Sequence, residues 1–243
     1  MATDNTRGRK GLPAGKVAPG RVKAGVWWVG KWAGRLGVAW LLLCGIGLLY
    51  LRILPPLTTG VQMQRRAEAA LEGRKYQKNY DFKPLGEISD HLEHAVVAAE
   101  DGRFFEHYGF DLAELADALD QARRGGKLRG ASTISQQLVK NLFMTTHRSS
   151  LRKILEIPLT VMTEGVLPKS RILELYLNVI EWGPGVFGAE AAARYHYKVS
   201  CAKLNRDQAA RLAAIIPLPL KRKPGAMNKY SAEILVRMGQ MGW

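Results

Sequence analysis

Residues 130–141 read Gly-Ala-Ser-Thr-Ile-Ser-Gln-Gln-Leu-Val-Lys-Asn. Ile134 and Leu138 lie four residues apart, and Leu142 continues the spacing, which predicts an amphipathic helix with one buried stripe. Ser132 is expected to cap it, and it should run to about Phe143. Gln136 and Lys140 then share one face, and Gln137 and Asn141 share the neighbouring one. The open N-terminus beside Ser132 presents free N–H groups and the positive end of the helix dipole, where a phosphate or sugar could bind. Taken alone, the stretch fits an ordinary amphipathic helix equally well.

Helical signals continue on both sides. An Ala/Val-rich helix covers Leu92–Glu100. Asp111 caps the next with Glu114 three residues on, and Gly125-Gly126 ends it. Ser149 or Ser150 starts another through about Glu164. Further helices are expected over 169–178, 188–196, 205–216 and 230–241, with Asn205 and Gln208 as a capping box and Pro217 closing the third of these. Alternating strand patterns are scarce, so the domain reads as mainly α.

Two neighbouring clusters carry candidate chemistry. Residues 100–111 read EDGRFFEHYGFD. Glu100 follows the apolar run 95–99, and a carboxylate in such a setting is poorly hydrated, which raises its pKa and suits it to accept a proton. The plainer alternatives are a surface acid at Glu100 and a simple cap at Asp111. Residues 148–156 read RSSLRKILE. Arg148, Arg152 and Glu156 fall at i, i+4 and i+8, so one face carries two guanidiniums and a carboxylate. They could pair among themselves, or clamp a diphosphate with Glu156 inside the clamp. Pro158 removes one backbone donor and is expected to kink this helix.

These three clusters, in order, resemble the first three motifs of the peptidoglycan glycosyltransferase family, family 51 of the glycosyltransferases. ILELYLN (172–178) and LAAIIPLP (212–219) resemble its remaining two, and the loop EWGPGVFG (181–188) is also similar. The resemblance covers about residues 80–220. It implies a lysozyme-like helical glycosyltransferase domain with a small jaw sub-lobe, and the end at Trp243 matches a monofunctional biosynthetic member. It also implies that Glu100 is the general base and Glu156 the second carboxylate. Substrate would be held by Asp101, Phe104, His107, Ser132, Thr133, Gln136, Gln137, Lys140, Asn141, Arg148, Arg152 and Lys153. The implied substrates are lipid II, a disaccharide-peptide on a polyprenyl diphosphate, and the growing glycan strand. The chemistry requires no cofactor; whether a divalent cation such as magnesium or manganese assists is left open.

The N-terminal region fits that substrate. Leu36–Leu51 is sixteen residues without a charge, roughly 24 Å of helix against a hydrocarbon core of about 30 Å. Arg52 can snorkel, and Ile53 and Leu54 extend the apolar run before Pro55-Pro56. Trp27, Trp28, Trp32 and Tyr50 suit the interfaces. Residues 1–36 carry eight Lys or Arg against one acid, which predicts a cytoplasmic N-terminus. The expected organisation is a basic cytoplasmic tail over 1–35, a single-pass inner-membrane anchor over 36–54 and a periplasmic glycosyltransferase domain over 55–243. Apolar residues around Tyr76–Leu85 are candidates to dip into the lipid. Proteins of cell-wall synthesis or division are candidate partners.

Net charge is +15. A polyanion-binding module is one rival reading, but nearly half of the excess lies in the tail and no nucleic-acid motif appears, so no nucleic-acid partner is expected. A lytic enzyme on a lysozyme-like fold is the other; it would use its glutamate as an acid and would not need the cationic clamp. The two cysteines, Cys44 and Cys201, indicate neither a disulfide framework nor a zinc site.

Overall fold

The computed structural model describes residues 19–126, 132–147 and 149–243. They fall into two compact units, one ending at Leu43 and the other spanning Cys44–Trp243. Helix α1, Pro19–Leu51, supplies the described part of the first. Trp27, Trp28 and Trp32 are exposed there, with Lys31 over the Trp27 ring and Arg35 over that of Trp32. Within α1, Gly30–Leu51 is long and apolar enough to cross a membrane, at a mean hydropathy of 1.7. This candidate span begins before the expected residue 36 and stops before 54.

The second unit is mainly helical, as expected. Its helices are α2 (Gly60–Leu71), α3 (Asp90–Glu100), α4 (Leu112–Arg123), α5 (Ile134–Phe143), α6 (Ser150–Val166), α7 (Lys169–Val179), α8 (Ala189–Tyr197), α9 (Arg206–Ile215) and α10 (Asn228–Gln240). Helix α5 packs against α2, α6 and α7, while α3 packs against α9 and α10. The predicted stripe of α5 is buried: Ile134, Leu138 and Leu142 join the core with Leu92, Val96, Leu173 and Trp182. The last turns of α1 belong to this unit too. Cys44, Leu48 and Leu51 are buried, and Arg171 donates to the carbonyls of Leu51 and Leu54, each at 2.8 Å.

A small sheet adds to the helices: β1 (Asn79–Tyr80), β2 (Glu181–Gly183) and β3 (Val186–Phe187), in the order β1-β3-β2. Strand β1 runs parallel to β3, and β2 is antiparallel to it. These strands are too short for a period-two signal, so the pairing was invisible in the sequence. The end of the segment Tyr76–Leu85 turns towards the core. Phe82 and Leu85 pack against the core, because Asn178 brackets Lys83 with bonds to its N–H and carbonyl, each 2.8 Å, and Glu174 accepts from the Leu85 N–H at 2.7 Å. Exposed large apolar side chains cluster on α4 (Leu112, Leu115, Leu119) and α6 (Leu151, Ile154, Ile157, Val161), among others.

The turn into α8 depends on Gly188, at φ 86° and ψ 160°, a region nearly reserved for glycine. A β-carbon there would stand 2.7 Å from the Asn178 carbonyl oxygen. Gly188→Ala is therefore expected to cost about 2–3 kcal/mol from strain alone, read as a lower urea midpoint with unchanged slope. An unchanged midpoint would show that the turn relaxes freely.

Candidate active site

The site is assembled at the C-terminus of α3, the N-terminus of α5 and the first half of α6. Helix α5 begins one residue later than expected. Thr133 is its cap, and Gln136 returns a bond to the Thr133 N–H in a capping box. Ser132 is thereby released from capping. Its carbonyl accepts from Gln137 Nε2 at 3.4 Å, and its hydroxyl lies 3.2 Å from Lys153 Nζ.

Glu100, the last residue of α3, is half-buried, and its Oε2 accepts from Gln137 Nε2 at 2.7 Å. Burial pushes its pKa above the ordinary carboxylate range, while the Gln137 amide, Lys140 and Arg222 pull the other way. Glu156 is buried on α6; one oxygen pairs with Arg152 and the other with Lys153 at 2.8 Å. The two glutamates thus belong to one polar wall, linked through Gln137, Ser132 and Lys153. Lys140 is half-buried, and its ammonium forms no hydrogen bond or ion pair among the described residues. Burial first, then the Arg152 charge, lowers its pKa.

Cavities flank this wall. One of about 440 Å³ is lined by Glu100, Asp101, Ser132 and Thr133, with Arg237 and Gln240 from α10. The other, about 370 Å³, is lined by Gln137, Lys140, Asn141, Arg152 and Glu181, with residues 216–221. Lys140 and Arg152 therefore line the second cavity and Glu100 lines the first.

Several sequence-derived site residues take supporting places. Asp101 is buried and accepts from the Ile134 N–H and from His107 Nε2, each at 2.9 Å. Phe104 is fully buried beneath Lys169, whose Nζ lies 4.4 Å from the ring centroid. Thr133 and Gln136 are occupied by capping, and the Thr133 hydroxyl also donates to the Gly109 carbonyl at 2.6 Å. Pro158 lies inside α6, which continues through it from Ser150 to Val166. Arg148 lies outside the described residues. Two residues escaped the sequence reading. Arg222 acts on Glu100 from the Lys221-Arg222-Lys223 run, whose charge was the available signal. Tyr176 donates to Gln137 Oε1 at 2.9 Å from inside the ILELYLN stretch.

Asp101, His107 and Asp111 bring their ligating atoms within 4.8 Å of one another. They fit a divalent cation poorly. Arg103 holds both Asp111 oxygens, at 2.9 and 2.7 Å, and both Asp101 oxygens are engaged as above. A cation would have to displace the guanidinium.

Residues 66–240 match the model of a family described as Transglycosylase. Relatives named biosynthetic peptidoglycan transglycosylase are similar along most of the chain. The protein of Ectopseudomonas mendocina is 46% identical over 208 residues, covering 84% of this chain and 86% of its own. That of Pseudomonas aeruginosa is 45% identical over 196 residues, covering 79% and 84%. That of Pseudomonas fluorescens is 50% identical over 172 residues, covering 71% and 72%.

Asp101→Ala would strand the Ile134 N–H and the His107 ring in a buried site. The expected loss is about 3 kcal/mol, a fall of roughly 6–12 °C in melting temperature. A shift below about 2 °C would mean that Asp101 does not anchor α5.

Proposed function

Because the chain belongs to the transglycosylase family and is a peptidoglycan glycosyltransferase, we propose that it lengthens glycan strands from lipid II, with Glu100 as the base. The observation that carries this reading is the convergence of Glu100 and Glu156 on one wall through Gln137, Ser132 and Lys153. The growing strand on its polyprenyl diphosphate is the donor, and a new lipid-linked disaccharide is the acceptor.

Ionised Glu100 takes the proton of the acceptor 4-hydroxyl as that oxygen bonds to the donor anomeric carbon. The bond from that carbon to the diphosphate oxygen breaks with inversion, and its electron pair leaves on the diphosphate. Such a leaving group needs positive charge more than a proton. Lys140 is available for it, and Arg152 and Lys153 stand beside it; Arg148 would join them. Glu156 holds Arg152 and Lys153 in place against mutual repulsion. Gln137, Asn141 and Ser132 offer hydrogen bonds to sugar and phosphate oxygens. None of these steps calls for a cofactor.

The apolar helix suits an enzyme anchored at the inner membrane. We place its basic tail in the cytoplasm and the catalytic unit in the periplasm, where the lipid-linked diphosphate meets it at the bilayer surface. The exposed leucines and isoleucines of α4 and α6 suit contact with lipid. Cell-wall synthesis or division proteins are the partners this role would bring.

The test is assembly of labelled lipid-linked disaccharide into polymer. Glu100→Gln, folded by circular dichroism, should lose at least about 10²-fold in rate, and neither enzyme should release fragments from finished peptidoglycan. Near-normal polymerisation by the variant would rule out the base. The pH profile gives a second check. A base whose pKa is raised by burial is lost as pH falls through that raised value, so the acid limb should lie above the ordinary glutamate value of about 4.3. An acid limb at or below it would contradict the assignment.

A further inference from the structure

Helix α7 uses the ILELYLN stretch in two ways. Glu174 and Asn178 brace residues 83–85. Tyr176 turns towards the catalytic wall. It is fully buried, and its hydroxyl lies 2.9 Å from Gln137 Oε1. At the other end of the same amide, Nε2 lies 2.7 Å from Glu100 Oε2. A primary amide has one accepting end and one donating end, and a half-turn about its last bond exchanges them. With the oxygen turned towards Glu100, two acceptors would face each other, and an ionised carboxylate would lose its donor.

We propose that Tyr176 is a positioning residue for the base: by donating to Gln137 Oε1 it keeps the Gln137 NH2 directed at Glu100 and holds that carboxylate in its ionised form. This rests on Glu100 being the base. Among the groups that favour the carboxylate, the Gln137 bond acts most strongly, ahead of Lys140 from α5 and Arg222 from the segment after α9. Burial and Asp101 oppose them. Tyr176 itself faces Glu100 and Asp101; burial and those two acids push its pKa well above that of a free phenol, so it remains a donor across the working pH range. Lys140 alone could attract the carboxylate charge, but an ammonium on a flexible stem does not fix which end of an amide faces it.

The experiment uses the full chain in detergent, with ¹³C-labelled glutamate carboxyls and the Glu100 signal assigned by its loss in Glu100→Gln. Tyr176→Phe keeps the ring and removes the hydroxyl. The Glu100 titration midpoint and the acid limb of the polymerisation rate should rise together by about one pH unit. The rate would then fall roughly tenfold on the acid side and recover to within about twofold on the alkaline plateau. Gln137→Met should raise the midpoint similarly, which keeps the idea testable if Tyr176→Phe folds poorly. Adding Tyr176→Phe to Gln137→Met should move the midpoint no further, since there is then no amide to orient. A lowered melting temperature with an unmoved midpoint, or a full second shift in the double variant, would overturn the proposal. An unmoved midpoint beside an inactive Glu100→Gln would overturn the positioning alone. A moved midpoint beside an active Glu100→Gln would overturn the base and its positioning together.

Discussion

A carboxylate at the end of an apolar helix is stable as an anion only if something compensates for its lost water. Glu100 stands in that position, and the surrounding structure can be read as the means of compensation. A single amide, that of Gln137, reaches it from α5 at 2.7 Å. That amide can be where it is because α5 is buried along Ile134, Leu138 and Leu142 and fixed at its start by the Thr133 capping box. The cap is fixed in turn by the Asp101 carboxylate on the Ile134 N–H. Asp101 follows Glu100 in sequence, so the proposed base is chained directly to the residue that anchors its partner helix.

The starting residue of α5 has a chemical consequence. Had Ser132 capped the helix, its hydroxyl would have turned inward to a backbone N–H. With Thr133 as cap, the Ser132 hydroxyl points to Lys153 and its carbonyl to Gln137, so one residue joins the Glu100 side of the wall to the Glu156 side. The sequence contained the information. Counting from Thr133, the third helical residue is Gln136, which completes a capping box; counting from Ser132 it is Ser135, which does not. Both residues are competent caps, and only the reciprocal bond separates them.

Local patterns carried most of the architecture: the apolar spacing of α5, the Asn205–Gln208 box at α9 and the charge stripe that became the Arg152–Glu156–Lys153 cluster. What remained hidden was set by distant pairings. The parallel contact of Asn79–Tyr80 with Val186–Phe187 joins segments more than a hundred residues apart, and strands that short leave no periodicity. The inward course of residues 82–85 follows from Asn178 and Glu174, not from their own composition. The division of labour within ILELYLN was equally hidden. Tyr176 and Asn178 are both buried polar residues on one helix, and only the position of each acceptor separates the brace from the residue that meets the site.

Helix α7 also links the C-terminal end of α1 to the polar wall. Arg171, in its first turn, binds the Leu51 and Leu54 carbonyls and pairs with Glu174. These are carbonyls at and just beyond the C-terminus of α1, where unsatisfied acceptors and the negative end of the dipole favour a cation. Five residues on, Tyr176 reaches Gln137. Because a helix advances about 1.5 Å per residue and is stiff over so short a distance, the height of Arg171 on the α1 carbonyls and the height of Tyr176 on the amide are not independent. Under the proposed reading, with lipid II as substrate and Glu100 as base, that base would have to be presented at a set depth from the bilayer surface. A short rigid element that holds the Leu51 and Leu54 carbonyls at one turn and the amide bonded to Glu100 at the next would meet that requirement.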